Sequence, residues 1–178
     1  MSTQVSIPGY QAGTWVIDAA RSEIAFLARA LGFWKTRGTF ADVEGTVVLK
    51  EDPLDSSVSA VIQSASLNTG MPNRDRDLKR AGYLDAERYP TITFTSTGVR
   101  ADGDGFLVDG DLTVLAATEK VTLALSPKGF ETGADGTSVA TFSASTQISN
   151  KALGVTKGSA FINDTTAISL EIVAVRKG

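Results

Sequence analysis

From residue 13 to residue 175 the chain alternates apolar and polar residues with a period of two, interrupted at hairpin spacing by glycine, proline and aspartate. That pattern builds strands and leaves little length for helices. The run 13–18 is a short strand, and 22–30 places Ile24, Phe26, Ala28 and Ala30 on one face against Ala25, Leu27 and Arg29 on the other. Residues 33–50 read as a long strand or bent pair, with Gly38 and Gly45 as bulge or corner sites. The run 57–63 turns Val58, Ala60 and Ile62 inward. Further on, Asp102-Gly103-Asp104-Gly105 is a hairpin turn, and Gly110 bends the strand that Phe106 and Val108 begin. A turn at 116–119 precedes a strand ended by Pro127, and another turn spans 133–136. The runs 141–150 and 166–175 complete a set of eight or more strands, which points to an antiparallel barrel or sandwich.

One stretch departs from the pattern. Residues 73–86 read as a short helix, with Asn73 capping its first turn, Leu78 and Ala81 on one face and Gly82 as the stop. The Tyr89-Pro90 step then forces extended backbone, and 91–97 is a strand with Ile92 and Phe94 on its apolar face. A single helix among strands of one sheet has to lie across an opening or an edge, which suggests a lid.

The inward faces hold space as well as bulk. Ala28, Ala30, Ala60, Ala144 and Ala174 fall on them, where a self-filled barrel would carry Val, Ile and Leu. Two readings follow: a cavity filled by a ligand in use, or alanines packed tightly against their neighbours. Inward Phe26, Phe94 and Phe142 beside those alanines would wall a narrow apolar tunnel.

The composition excludes more chemistry than any motif supplies. With no histidine and no cysteine, the chain offers no Ser-His or Cys-His device and no ordinary zinc site, so no catalytic residue, metal or cofactor is assigned. The net charge of −3 is well mixed, without the basic stripe a nucleic-acid surface needs. No apolar run reaches membrane-spanning length and the N-terminus lacks a signal-peptide pattern, so the expectation is one domain over 1–178, in the cytoplasm.

Five segments in order, over about 13–175, resemble the YceI-like family of bacterial polyisoprenoid-binding proteins. They are WVIDAARSEIAF (15–26), LGFWKTRGTF (31–40), RDRDLK (74–79), YPTITFTST (89–97) and DGDLTV (109–114). The resemblance implies an all-β fold: an eight-stranded antiparallel, lipocalin-like barrel with one short helical segment near its mouth. It also implies a long-chain isoprenoid, quinone or similar amphiphilic lipid as partner, and allows a homodimer. The family's histidines are replaced here by Ala20-Arg21, Ala30 and Asp77, which removes those contacts to a head group.

Combined with the inward pattern, this assigns Phe26, Ala28, Phe40, Leu78, Tyr83, Leu84, Ile92, Phe94, Leu112, Phe142 and Ala144 to the ligand cavity. Arg37, Arg74 and Asp75 are the head-group or lid candidates. A carrier or sequestering protein is the leading reading. A barrel isomerase or cyclase acting on a lipid-like substrate would need a titrating carboxylate inside, and a structural module would have a filled core.

Overall fold

The structure, a computed structural model, describes residues 7, 9–30, 34–79, 85–149 and 162–177, with backbone alone for 28–30, 34–36 and 162–164. Its strands are β1 (Gly13–Ile17), β2 (Glu23–Ala30), β3 (Trp34–Phe40), β4 (Val43–Leu49), β5 (Ser57–Gln63), β6 (Leu67–Asn68), β7 (Thr91–Asp102), β8 (Gly105–Val114), β9 (Ala117–Thr132), β10 (Ser138–Ser149) and β11 (Ile162–Arg176). All pairings are antiparallel, and β1 closes the sheet by pairing with both β4 and β11.

Eleven segments make eight staves. β1 and β2 lie end to end against β11, through Ile17↔Ala174 and Glu23↔Glu171. β3 and β4 lie end to end against β2 and β1, and β5 and β6 against β4 and β3. The expected eight-stranded antiparallel barrel is therefore the observed one. Pairing that runs round the circuit and returns through β1 to β11 makes this a barrel and not a sandwich, although among the described residues β9 and β10 part beyond Ser145↔Ala124 and β3 is paired on one side only before Thr39.

The breaks within the three paired staves fall side by side, at 18–22, 41–42 and 64–66, and form one corner. A short 3₁₀ turn, Ala19–Arg21, makes the first break, held where Asp18 accepts from Ala20 N at 3.1 Å and from Arg21 Nε at 2.7 Å. Asp42 O accepts from Gln63 N at 2.9 Å across the second and third. The expected corners at Gly38 and Gly45 are absent, because the ladder runs through both without a shift. Both glycines make room instead: a Cβ on Gly38 would lie 2.5 Å from Phe26 Cζ, and one on Gly45 2.5 Å from Ile17 Cδ1. Gly110 does not bend β8 either. The bulge lies in β7 between Ser96 and Gly98, where Ser96 Oγ accepts from Val58 N at 2.8 Å.

Two other boundaries move. Pro127 does not end its strand: β9 continues to Thr132 because the proline, which has no N–H to donate, sits beside the bulge in the β9–β10 ladder. The β8–β9 turn is Leu115-Ala116 rather than 116–119, with Leu115 at φ 57° and packed onto Ile92 and Val114. A non-glycine in that region is strained, so the contact holds the turn in place.

The helix α1 spans Pro72–Leu78. Met71, not Asn73, is its N-cap, and no side chain caps it. Pro72 starts the helix because its fixed φ suits the first helical position. Asp75 then ties the first turn back, accepting from Thr69 N at 2.7 Å and from the Thr69 hydroxyl. Ala81 and Gly82, the expected face and stop, lie outside the described residues.

Candidate functional site: an apolar cavity along the barrel

The period-two alternation turns one row of each stave inward, and these rows enclose a cavity of about 310 Å³. Its wall runs from Ile7, Tyr10 and Pro53 at one end to Leu67, Leu78 and Ile148 at the other. No Asp, Glu, Lys or Arg among the described residues lines it, and its only titratable side chain is Tyr10. The hydroxyl-bearing lining residues are Tyr10, Ser56, Ser57, Thr146 and Thr166. At the small end of the roughly 300–1,000 Å³ usual for ligand pockets, this space suits a slim apolar molecule.

The end opposite α1 is closed by aromatic rings. Phe130 meets Tyr10, Trp15 and Phe142 edge-on, with centroids 5.5, 5.6 and 5.9 Å apart. Trp15 has no exposed surface and packs with Leu49, Ala140, Phe142 and Ala174. The segment before β1 straps this end. Trp15 Nε1 donates to Gln11 O at 3.2 Å, Gln11 Nε2 donates to Thr132 Oγ1 at 3.2 Å, and the Tyr10 hydroxyl donates to Lys50 O. At the other end α1 sits beside β6 and turns Leu78 into the cavity.

Of the residues assigned from sequence, Phe26, Phe40, Leu78, Ile92, Phe94, Leu112, Phe142 and Ala144 all line this one cavity. Ala28 is opposite Thr166 in the β2–β11 ladder, but its side chain, like Tyr83 and Leu84, lies outside the described residues. Arg37 is exposed on the outer face, because its neighbour Gly38 is the inward one. Asp75 fastens α1 to Thr69 rather than facing the cavity, and Arg74 is half-buried on the same turn. Sequence reasoning missed Tyr10, Trp15 and Phe130, which the barrel joins from opposite ends of the chain. No local pattern could have signalled that contact, since Phe130 lies far along the chain from Tyr10 and Trp15.

The charges lie outside. The Arg100 guanidinium holds the Asp109 carboxyl down to about 2 through bonds of 2.7 and 2.8 Å, helped by the Thr122 hydroxyl at 2.7 Å. Asp18, Asp75 and Asp135 are also held below their usual value, by the Arg21 side chain, the Thr69 hydroxyl and the Thr137 N–H respectively. Burial pushes the Tyr10 phenol above 10.0. A lowered carboxyl contributes stability above its unfolded pKa and loses it as pH falls through the folded value; a raised phenol contributes below its unfolded pKa and loses it as pH rises. With no histidine to titrate between them, the urea midpoint should be flat from about pH 5 to 9 and fall below about pH 4 and above about pH 10. A sloping midpoint near neutrality would contradict this assignment.

Fold and cavity together define a small up-and-down β-barrel whose interior carries no charged side chain among the described residues. The YceI-like domain model matches residues 15–174, and the chain belongs to that family. It is 39% identical over 101 residues to the protein YceI of Escherichia coli O17:K52:H18, covering 56% of this chain and 53% of that protein. YceI of Salmonella arizonae is 36% identical over 101 residues, with the same coverage. The matches thus span about half the length of these relatives. Among solved structures, BcnA of Burkholderia cenocepacia superposes with a TM-score of 0.78 at 23% identity, covering 88% of this chain and 98% of that one. A polyisoprenoid-binding domain from Saccharophagus degradans, implicated in plant cell wall breakdown, superposes at 0.65 with 15% identity, covering 94% and 100%. At these identities the likeness is one of fold. No helix among the described residues is long and apolar enough to cross a membrane.

Proposed function

We propose that the protein binds a long-chain isoprenoid, quinone or similar amphiphilic lipid inside the barrel and acts as a carrier, store or sequestering protein. The observation that carries this reading is the cavity wall itself, apolar from the ring-closed end to α1 and without a charged side chain among the described residues. Water gains few hydrogen bonds in such a space, and an empty apolar void costs on the order of 24 cal/mol per Å³, so a hydrocarbon chain is the occupant that repays the cavity. The same wall argues against turnover, because acid–base catalysis needs a titrating group beside the substrate, and the Tyr10 hydroxyl is engaged on Lys50 O at the closed end. The lipid-binding Saccharophagus domain shares the fold and supports the class of ligand. Cytoplasmic residence and a homodimer belong to the same proposal.

Native mass spectrometry of the purified protein, before and after organic extraction, tests it. The expected result is an added mass of a few hundred daltons or more that extraction removes and incubation with an isoprenoid extract restores. A protein that carries no lipid and takes none up would overturn the proposal.

A further inference from the structure

We infer that the cavity selects isoprenoids with a neutral oxygen head over those with an anionic head, and that Thr146 is the side chain that reads that oxygen. This rests on the lipid-binding reading above and narrows it.

Two observations carry it. The first is the make-up of the wall: apolar side chains along its length and no cation among the described residues. An anionic head brought into that interior would lose its hydration and gain no counter-charge, which costs far more than burying a hydroxyl or carbonyl that finds one hydrogen bond. The second is the placement of the hydroxyls. Tyr10 and Ser56 are spent at the closed end, on Lys50 O and Lys50 N respectively. Ser57 is exposed, and Thr166 already has an interaction partner. Thr146 and Thr166 stand on the inner face of β10 and β11, opposite Ile168 and Ile148, and are therefore diagonal neighbours. Both line the cavity in the half nearer α1, since Ile148 packs at the mouth with Ile92 and Val114. Thr146 makes no side-chain hydrogen bond to a described residue. Its hydroxyl can both donate and accept, so it suits an alcohol, a phenol or a quinone carbonyl alike. The tail then lies toward Phe94, Phe106 and Phe142, and the oxygen stops one strand-diagonal below the mouth.

The test uses three C20 probes with the same chain: geranylgeraniol, geranylgeranyl diphosphate, and the hydrocarbon carrying hydrogen in place of the hydroxyl. Each competes against diphenylhexatriene fluorescence on the full chain. The alcohol should bind tightest, with the diphosphate at least about tenfold weaker than the alcohol. Thr146→Val should weaken the alcohol by roughly three- to tenfold while leaving the hydrocarbon unchanged, and Thr146→Ser should restore most of the loss. Unfolding curves of both variants confirm that they fold. A diphosphate that binds as tightly as the alcohol overturns the head-group selection, and an unchanged alcohol-to-hydrocarbon ratio in Thr146→Val overturns the residue assignment. If none of the three displaces the fluorophore, the lipid-binding function fails with them.

Discussion

Replacing Trp15 by alanine should destabilise the fold by about 3–5 kcal/mol, the usual cost of removing a fully buried large aromatic. Trp15 has 0% exposure, and its indole sits edge-on to Phe130 at 5.6 Å within the group that closes the barrel. The truncation leaves a cavity bounded by strands paired around the ring, which cannot collapse without breaking the β1–β4 or β1–β11 ladder. It also removes the indole N–H that holds Gln11 O, and with it one tie of the strap. For a domain of this size the loss corresponds to a fall of roughly 6–20 °C in melting temperature. Total stabilities run only from about 5 to 15 kcal/mol, so the variant stands near the edge of folding at 37 °C. Thermal and urea unfolding read the effect directly; a change under about 1 kcal/mol would mean that the aromatic end does not close the barrel.

The second large effect falls on a residue with no side chain. Gly110→Val should cost about 1–3 kcal/mol or more through overpacking, because a Cβ there would lie 2.4 Å from Phe94 Cζ and 2.7 Å from Thr95 O. The ring can swing away, although only into the cavity; the carbonyl belongs to the β7–β8 ladder and cannot. Combining Gly110→Ala with Phe94→Ala separates the two clashes. The glycine substitution should cost less in the Phe94→Ala background than in the parent, by the share the ring accounts for. Equal costs in both backgrounds would place the whole penalty on the backbone and remove the ring from the argument. Where Gly110→Val still folds, the displaced ring should also weaken retention of an apolar ligand.

What could be read from the sequence was what depends on neighbours along one strand. Strict alternation determines which face Phe26, Ile92, Phe94, Phe142 and Ala144 occupy, and all of them line the cavity. The same parity also puts Arg37 outside, once Gly38 is recognised as an inward position made small to seat Phe26 rather than as a corner. Residues placed by contacts across the closed sheet were not legible. Tyr10 reaches Lys50, and Trp15 and Tyr10 reach Phe130, over separations no local pattern encodes. The helix start moved for a similar reason: Asn73 has the better capping side chain, yet Pro72 and the Asp75 tie to Thr69 set the cap two residues earlier, at Met71.

The central claim is that the interior is vacant for a ligand and not a packed core, and Ala144→Phe tests it most directly. Ala144 lines the cavity at 7% exposure, opposite Leu125 and Leu170 in its two ladders. If the space is vacant, the new ring fills it: the delipidated variant should unfold within about 1 kcal/mol of the delipidated parent, and it should retain no lipid on native mass spectrometry. If the core is already full, the ring overpacks it, stability falls by about 1–3 kcal/mol, and whatever the parent carries is still carried by the variant. That second combination would contradict the account.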